Sequence, residues 1–314
     1  MAPMRMTGPA MPLQRLACLA LVSVVTTTNI ANAQELVPAA YTPIPVGFNI
    51  LTLVGSFHKG DITFDPSLPV EDGHGTIGAA AVGFGRSMNL AGRFANIGVG
   101  VPFATGHVQG LLAGEPAETR RSGIGDVSAR VAVNLYGARA MSLKEFATFR
   151  PTTLVGVSLV VLMPTGQYDP SRVINLGANR WTFRPEIGIS RRRGRWTFEG
   201  DVGSALFTDN TNFRNGGTRT QGPIFTFQGH VIYTLRPGFW AAVDANFWRG
   251  GRITTNGVAA TELQHNSRFG ATVAVPVGRQ QVRIAVSSGA YTRLGGDFTS
   301  IGVSYSYAWT RQRP

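Results

Sequence analysis

Twelve stretches of this chain, spread from about Val46 to Trp309, carry an apolar residue at every second position. In one, Phe269, Ala271, Val273, Val275 and Val277 alternate with a set that includes Arg268, Gly270 and Thr272. In another, Val127, Ala129, Val131, Val133 and Leu135 are interleaved with Ser128, Arg130 and Asn134. A period of two belongs to a β-strand with one apolar and one polar face. Each stretch runs about 10–14 residues, long enough for a tilted strand to cross a bilayer. Strands of soluble sandwiches are typically about 5–6 residues. The pattern predicts an all-β fold: a transmembrane, antiparallel, up-and-down β-barrel of about 12 strands.

The beginning of the chain fits export. Arg5 and Arg15 precede an apolar run, Leu16 to Val25, that is too short to span a membrane as a helix. Ala31-Asn32-Ala33 follows as a small-residue cleavage site. We read residues 1–33 as a cleaved signal peptide, 34–45 as a periplasmic segment and 46–314 as the barrel. The chain's single cysteine, Cys18, falls inside the signal, so the exported chain needs no disulfide. Charged residues make up 15% of the chain and glycines number 39, which suits a lipid-facing wall and twisted strands. The net charge of +12 comes largely from arginine. No aromatic-basic signature or recognition helix accompanies it, so anionic lipid headgroups are the expected partner and nucleic acid is not.

The strands read as about 46–57, 76–87, 93–103, 124–136, 151–163, 180–191, 195–208, 223–236, 239–249, 265–277, 281–293 and 298–309. Tight connections (Asn89–Gly92, Arg191–Gly194, Arg236–Gly238, Gly278–Gln280) alternate with long ones (His58–Gly75, Ala104–Gly123, Pro164–Asn179, Asp209–Gly222, Gly250–Gln264). With the N-terminus in the periplasm, every tight turn falls inside and every long loop outside, as in bacterial barrels. Leu294–Asp297 is a short outer exception. Gly137–Arg150 is a long inner one, with a helical turn expected around Leu143–Phe146. Trp181, Phe225 and Phe247 fall near the outer rim; Trp196, Tyr233, Phe239, Tyr307 and Trp309 fall near the inner rim. That placement reads as two aromatic girdles. A soluble sandwich would also alternate, but needs neither such long strands nor this rhythm of connections.

Register assigns a polar set to the interior. The candidate lumen-lining residues are Arg130, Arg184, Glu186, Glu199, Asp201, His230, Asp244, Arg268, Arg283 and Arg293, with Trp240, Trp248 and Tyr291 on the same face. Glu199 and Asp201 lie on one strand, Arg184 and Glu186 on its hairpin partner, so an acid–arginine ladder across the interior is expected. Such a set serves either as the charged wall of a solute path or as an ion-pair network filling a narrow barrel. Catalytic readings find little support. The five histidines have no metal-ligand spacing, no G-x-S-x-G elbow accompanies His230, and the strand glycines Gly83, Gly85, Gly98 and Gly100 lead into no helix. We expect no catalytic residue, cofactor or metal.

Between the fifth and sixth strands the chain reads Pro164-Thr165-Gly166-Gln167-Tyr168-Asp169-Pro170, then Asn175-Leu176-Gly177, Asn179, Arg180 and Trp181. Pro164 ends a strand because it has no N–H for a ladder, and Thr165-Gly166 and Asp169-Pro170 form turns. This is an ordered outer-mouth loop, with Thr165, Gly166, Gln167, Tyr168, Asp169, Asn175 and Asn179 as its candidate functional residues; a rigid hairpin end with no ligand role would look the same. Phe183, Pro185, Glu186 and Gly188 follow, and Ile97 to Pro102, Gly123 to Asp126, Phe207 to Asn210 and Arg293 to Phe298 recur as further blocks. Together these resemble a family of outer-membrane transporters named for the meta-cleavage (MetA) pathway of phenol degradation.

The resemblance implies an outer-membrane channel or transporter for passive uptake or efflux of small organic, hydrophobic or aromatic, solutes. It carries over no catalytic residue. The alternative is a non-transporting barrel with a structural or surface-interaction role. Either would have the bilayer and lipopolysaccharide as surroundings, and the barrel-assembly machinery as a partner in biogenesis.

Overall fold

The computed structural model describes residues 36–64, 70–150, 152–278 and 280–310. The signal expected over 1–33 lies outside the described residues. In chain order the strands are β1 (Phe48–Thr63), β2 (Val70–Leu90), β3 (Arg93–Leu112), β4 (Glu115–Ile124), β5 (Ser128–Tyr136), β6 (Thr153–Leu162), β7 (Thr182–Arg193) and β8 (Trp196–Phe207). They continue as β9 (Asn210–Phe213), β10 (Gly217–Gln221), β11 (Ile224–Arg236), β12 (Phe239–Gly250), β13 (Ile253–Thr255), β14 (Val258–Ala259), β15 (Gln264–Val277), β16 (Gln280–Thr292) and β17 (Gly295–Thr310). One helix, α1 (Leu143–Thr148), sits in the long inner connection, where a helical turn was expected; Ser142 and Glu145 cap its start reciprocally.

Twelve of these strands close a ring: β1, β2, β3, β5, β6, β7, β8, β11, β12, β15, β16 and β17, every pairing antiparallel. The last strand meets the first from Phe48↔Thr310 to Thr63↔Gly295. Closure leaves no open edge in the ring, which is the condition for a sheet to sit in hydrocarbon. The chain is inside-out relative to a soluble protein. Val82, Val202, Phe227, Val243 and Phe269 are more than half exposed, while Thr52, Asn96, Asn134, His230, Asp244, Asn246 and Thr272 are buried. Lipid, not water, is the solvent that rewards this arrangement. The barrel is an outer-membrane barrel. Aromatics mark its rims: Trp181 stacks on Phe183 on the outer side, and Trp196 packs on Tyr233 and Tyr307 on Trp309 on the inner side.

The structure departs from the sequence reading in the first quarter of the ring. Residues expected as long loops, His58–Gly75 and Ala104–Gly123, are largely ladder. β1 and β2 pair up to Ile62↔Gly73, and β3 rises to Leu112 before β4 returns beside it. These extensions lengthen the wall on its outer side, where the apolar alternation of the sequence fades. His58, His74 and His107, expected in loops, sit on them; His74 bonds Asp61 and His107 bonds Glu118 across paired strands. A small second sheet, β14-β13-β10-β9, forms among the outer connections.

The described part of the segment expected in the periplasm, residues 36–45, turns up into the barrel instead. The Ala39 N–H donates to Glu199 Oε2 at 2.7 Å, the Tyr41 hydroxyl to Glu186 Oε1 at 2.8 Å, and Asn134 Nδ2 to the Tyr41 carbonyl at 2.9 Å. The Tyr41 ring lies over Gly156 and Gly188, which face each other across β6 and β7; a Cβ would come to 2.1 Å of the ring at the first and 2.4 Å at the second. Below it, Ile44, Phe48, Phe94, Ala138 and Leu154 form a buried apolar cluster with Leu143 and Phe149 packed against it. The driving force is ordinary: an uncharged stretch with Leu36, Val37, Ile44 and Val46 gains by leaving water.

Candidate functional site

Two parts of the barrel carry chemistry: the polar interior and a seam in the outer half of the wall. In the interior, His230 Nδ1 bonds Asp244 Oδ1 at 2.7 Å, and Thr272 Oγ1 donates to Asp244 Oδ2 at 2.8 Å. Asp201 Oδ2 lies 3.8 Å from His230 Nε2, and Ser190 Oγ donates to Glu199 Oε1 at 2.8 Å. Arg130 donates to Asn96 and lies 6.0 Å from the Tyr41 ring. Arg268 donates to Ser287 and Ser300, and Arg283 donates to Gln281 beside the Trp240 ring. Most of these buried groups are met by hydrogen bonds from several strands, whereas Asp201 Oδ1 and His230 Nε2 have no hydrogen-bond partner among the described residues.

The expected acid–arginine ladder does not form. Pairing of β7 with β8 sets Glu186 opposite Gly203, Gly188 opposite Asp201 and Ser190 opposite Glu199. Arg184 is thereby four residues along β7 from the position facing Asp201, about 13 Å at the rise of a strand. The acids are met by His230 and by the N-terminal segment instead. Two other expectations are corrected. Tyr291 is not on the lumen face: a register shift between Ser267 and Arg268 slips β16 by one residue, and Tyr291 emerges 54% exposed against the His265 ring. Arg293 lies past the end of β16, on the outer surface, where it pairs with Glu262. Trp240 and Trp248 do face inward but are packed. Trp240 sits among Ile232, Ala242 and Ala274, and Trp248 among Ala205 and Ile224, with its indole N–H on Gln264.

The seam lies where β4 gives way to β5. The strand expected over 124–136 is broken at Gly125-Asp126-Val127. β5 pairs with β6 up to Ser128↔Leu162, and β6 with β7 up to Leu162↔Thr182. Above that level β4 pairs with β3 alone. The space between β4 and β7 is filled by the loop over 163–181, which runs back against the break. The Gln167 N–H donates to the Ile124 carbonyl, the Met163 N–H to the Val127 carbonyl, and the Val127 N–H to Thr165 Oγ1, each at 2.9 Å. Asp126 is the fastener. Its Oδ1 accepts from the Gly166 N–H and its Oδ2 from the Ala178 N–H, both at 2.9 Å. The two limbs of the loop cross there with no room for side chains: a Cβ on Gly166 would stand 2.7 Å from the Asp126 nitrogen, and one on Gly177 2.7 Å from Gly166.

The remaining loop residues named from the sequence hold the loop's shape. Asp169 and Asn175 bond reciprocally, the Asp169 N–H to Asn175 Oδ1 and Asn175 Nδ2 to the Asp169 carbonyl. Asp169 also accepts from Ser171 and Arg172; the Ser171 hydroxyl, then its N–H, hold the Asp169 carboxyl below the usual carboxylate range. Tyr168 and Asn179 reach the next outer connection through Asn210 and Asn212. Asp126 itself was not singled out from the sequence as a site residue. The available signal was a carboxylate flanked by glycine in the middle of an apolar alternation, where a lipid-facing or ladder role is out of place.

The family described as "Putative MetA-pathway of phenol degradation" matches residues 66–307, well over half of the chain. The chain belongs to this family. A solved COG4313 outer membrane channel from Pseudomonas putida F1 is similar in fold, with a TM-score of 0.71 at 18% identity over 91% of this chain and 100% of that one. The β domain of the Bordetella autotransporter BrkA follows at 0.48 and 12% identity, over 84% of this chain and 100% of that one. The CymD monoaromatic hydrocarbon channel stands at 0.42 and 7%, over 86% of this chain and 90% of that one. No curated protein matches the sequence.

Proposed function

We propose that this barrel lets small, neutral, hydrophobic organic solutes, aromatic ones among them, cross the outer membrane passively, and that the seam between β4 and β7 is where they pass the wall. The observation that supports this most is the nature of the closure. In hydrocarbon every backbone polar group must be paired, so a laddered wall cannot part without exposing a row of them. At the seam a loop replaces the ladder, and its fastening is one carboxylate and a few N–H groups. Moving that loop opens the wall without breaking the ring. The interior favours the same route over a wide aqueous pore: residues 36–45 occupy its inner half, and charged groups from β5, β7, β8, β11, β12, β15 and β16 project into it, held by hydrogen bonds to that segment and to neighbouring polar side chains.

Membership of a family named for phenol degradation agrees with an aromatic substrate class, and the similar protein from Pseudomonas putida is itself an outer membrane channel. The reading includes export by a cleaved signal over residues 1–33, insertion by the barrel-assembly machinery, a lipopolysaccharide outer leaflet around the rim, and no catalytic step. The packed interior also agrees with a second reading, a closed structural barrel. Flux decides between them. The folded exported chain, placed in vesicles with a lipopolysaccharide outer leaflet, is expected to speed permeation of p-cresol over protein-free vesicles while leaving a sugar excluded. Equal passage of both would mean a general pore, and passage of neither would mean the structural barrel.

A further inference from the structure

The outer ends of β3 and β4 form a hairpin, with β3 still laddered to β2 as far as Val70↔Leu112, and the far limb of the 163–181 loop crosses in front of it. Between them is a cleft of about 200 Å³. Phe64, Val108, Leu111, Ala117, Val173 and Ile174 supply its apolar surface. Of the polar side chains that line it, Arg172, Glu118 and Gln109 are each turned to a partner. Arg172 Nε donates to Asp169 Oδ2 at 2.9 Å, His107 Nε2 bonds Glu118 Oε2 at 2.9 Å, and Gln109 Nε2 bonds the same oxygen at 3.5 Å.

Size and lining together define an occupant. Engineered apolar cavities of about 150 Å³ take up benzene, so this volume accommodates one aromatic ring with small substituents. An ion would surrender its hydration to a mostly apolar surface whose charged groups, Arg172 and Glu118, already have partners. The cleft is also coupled to the seam by covalent continuity. Val173 and Ile174 lie between Gly166 and Ala178, the two residues through which the same loop is bonded to Asp126. Arg121 of β4 ties this limb to the hairpin, donating to the Ile174 carbonyl at 3.1 Å and to Asn175 Oδ1 at 3.3 Å.

We infer that this cleft is a capture site for a neutral, single-ring aromatic solute on the outer face, upstream of the seam. Its role in transport rests on the channel reading above; its occupancy does not. A site here collects solute from the aqueous side and places it against the loop that must move.

The test uses the whole exported chain in lipid nanodiscs, with ¹³C-labelled Val, Leu and Ile methyl groups, titrated with fluorobenzene and separately with 4-fluorobenzoate. Fluorobenzene is expected to shift the Val108, Leu111, Val173 and Ile174 methyls along saturating curves, while the lipid-facing Val243 methyls drift linearly as the ring partitions into the bilayer. The benzoate is expected to bind at least tenfold more weakly. Ala117→Trp, on the exposed edge of the cleft, fills it and is expected to weaken saturation at least tenfold; Val173→Asp does the same by charge, should the first variant misfold. Linear drift at all sites, or saturation unchanged in both folded variants, overturns the capture site. p-Cresol flux on the same preparation separates the two readings: flux without saturation leaves the channel standing and removes the site, whereas saturation without flux upholds the site and removes the channel.

Discussion

The β11–β12 hairpin and the seam above β5 both complete the barrel wall, by different means. β11 and β12 are paired from Ile224↔Gly250 to Arg236↔Phe239, with one slip near the inner turn. That closure is backbone to backbone and indifferent to which side chains stand on it. At the seam the backbone of β4 has no strand on its second side, and the loop over 163–181 is held by Asp126, Thr165, Arg121 and two backbone contacts. A wall made of ladder opens only by unfolding. A wall made of a docked loop opens by undocking, and its stability can be set by one residue. The proposed division of labour is therefore rigid frame and releasable panel, the panel lying in the outer half of the wall.

Substitution at the fastener breaks the comparison most sharply. Asp126→Ala removes two hydrogen bonds to a carboxylate, each worth about 1.5–3 kcal/mol net. Hydrogen exchange at 163–178 is expected to accelerate by on the order of 100-fold, while the β11–β12 amides keep their protection. Equal acceleration in both regions would mean that Asp126 supports the barrel as a whole.

The converse substitution tests the frame. Val243, 65% exposed near the middle of β12, faces lipid. Val243→Arg is expected to cost about 2–4 kcal/mol of global stability, as basic residues do at the bilayer midplane, read from denaturant unfolding in lipid vesicles. The seam's exchange rates are expected to stay as they are. A cost below about 1 kcal/mol would place Val243 outside the hydrocarbon layer.

The smallest effect is a pH dependence at the loop tip. Asp169 is held below its ordinary value of 3.8 by Ser171 and Arg172. A depressed carboxylate contributes stability above its unfolded pKa and loses it as pH falls through the folded one. Exchange at residues 169–175 is thus expected to be flat from pH 8 to 5, after correction for intrinsic rates, and to rise only below about pH 4. A rise already near pH 6 would show that another group governs the tip.

How much of this was legible in the sequence follows the solvent on each side of the chain. Where one face meets lipid and the other a polar interior, as along Phe269 to Val277 or Val127 to Leu135, alternation located the strands and most of the inward residues. Toward the outer ends of the strands that contrast fades in the sequence, so β4 and the upper parts of β1, β2 and β3 read as loops. Tyr291 was misplaced because a single-residue slip reverses the face of everything after it, and a bulge leaves no mark in hydrophobic periodicity. The lumen insertion of residues 36–45 had a signal that went unused: no charged residue occurs from Leu36 to Phe57, an improbable composition for a segment bathed in periplasm. The seam was half legible. Pro164 to Asn179 marked an ordered loop, but its docking partner, Asp126, sat inside what read as uninterrupted strand, and the glycine crossing at Gly166 and Gly177 is a property of three dimensions.

The central claim is that the seam is the route through the wall, and a reversible lock on it is the most direct test. Ile124→Cys with Gln167→Cys places two thiols on residues joined by a backbone hydrogen bond across the seam, in a chain whose one other cysteine, Cys18, lies in the proposed signal. A matching pair at Gly229 and Ala245 locks two rungs of the β11–β12 ladder that are already paired. p-Cresol flux into vesicles is expected to stop when the seam pair is oxidised, to return on reduction, and to be unaffected by oxidation of the ladder pair. Undiminished flux through an oxidised, fully cross-linked seam would contradict the account and send the solute down the lumen instead.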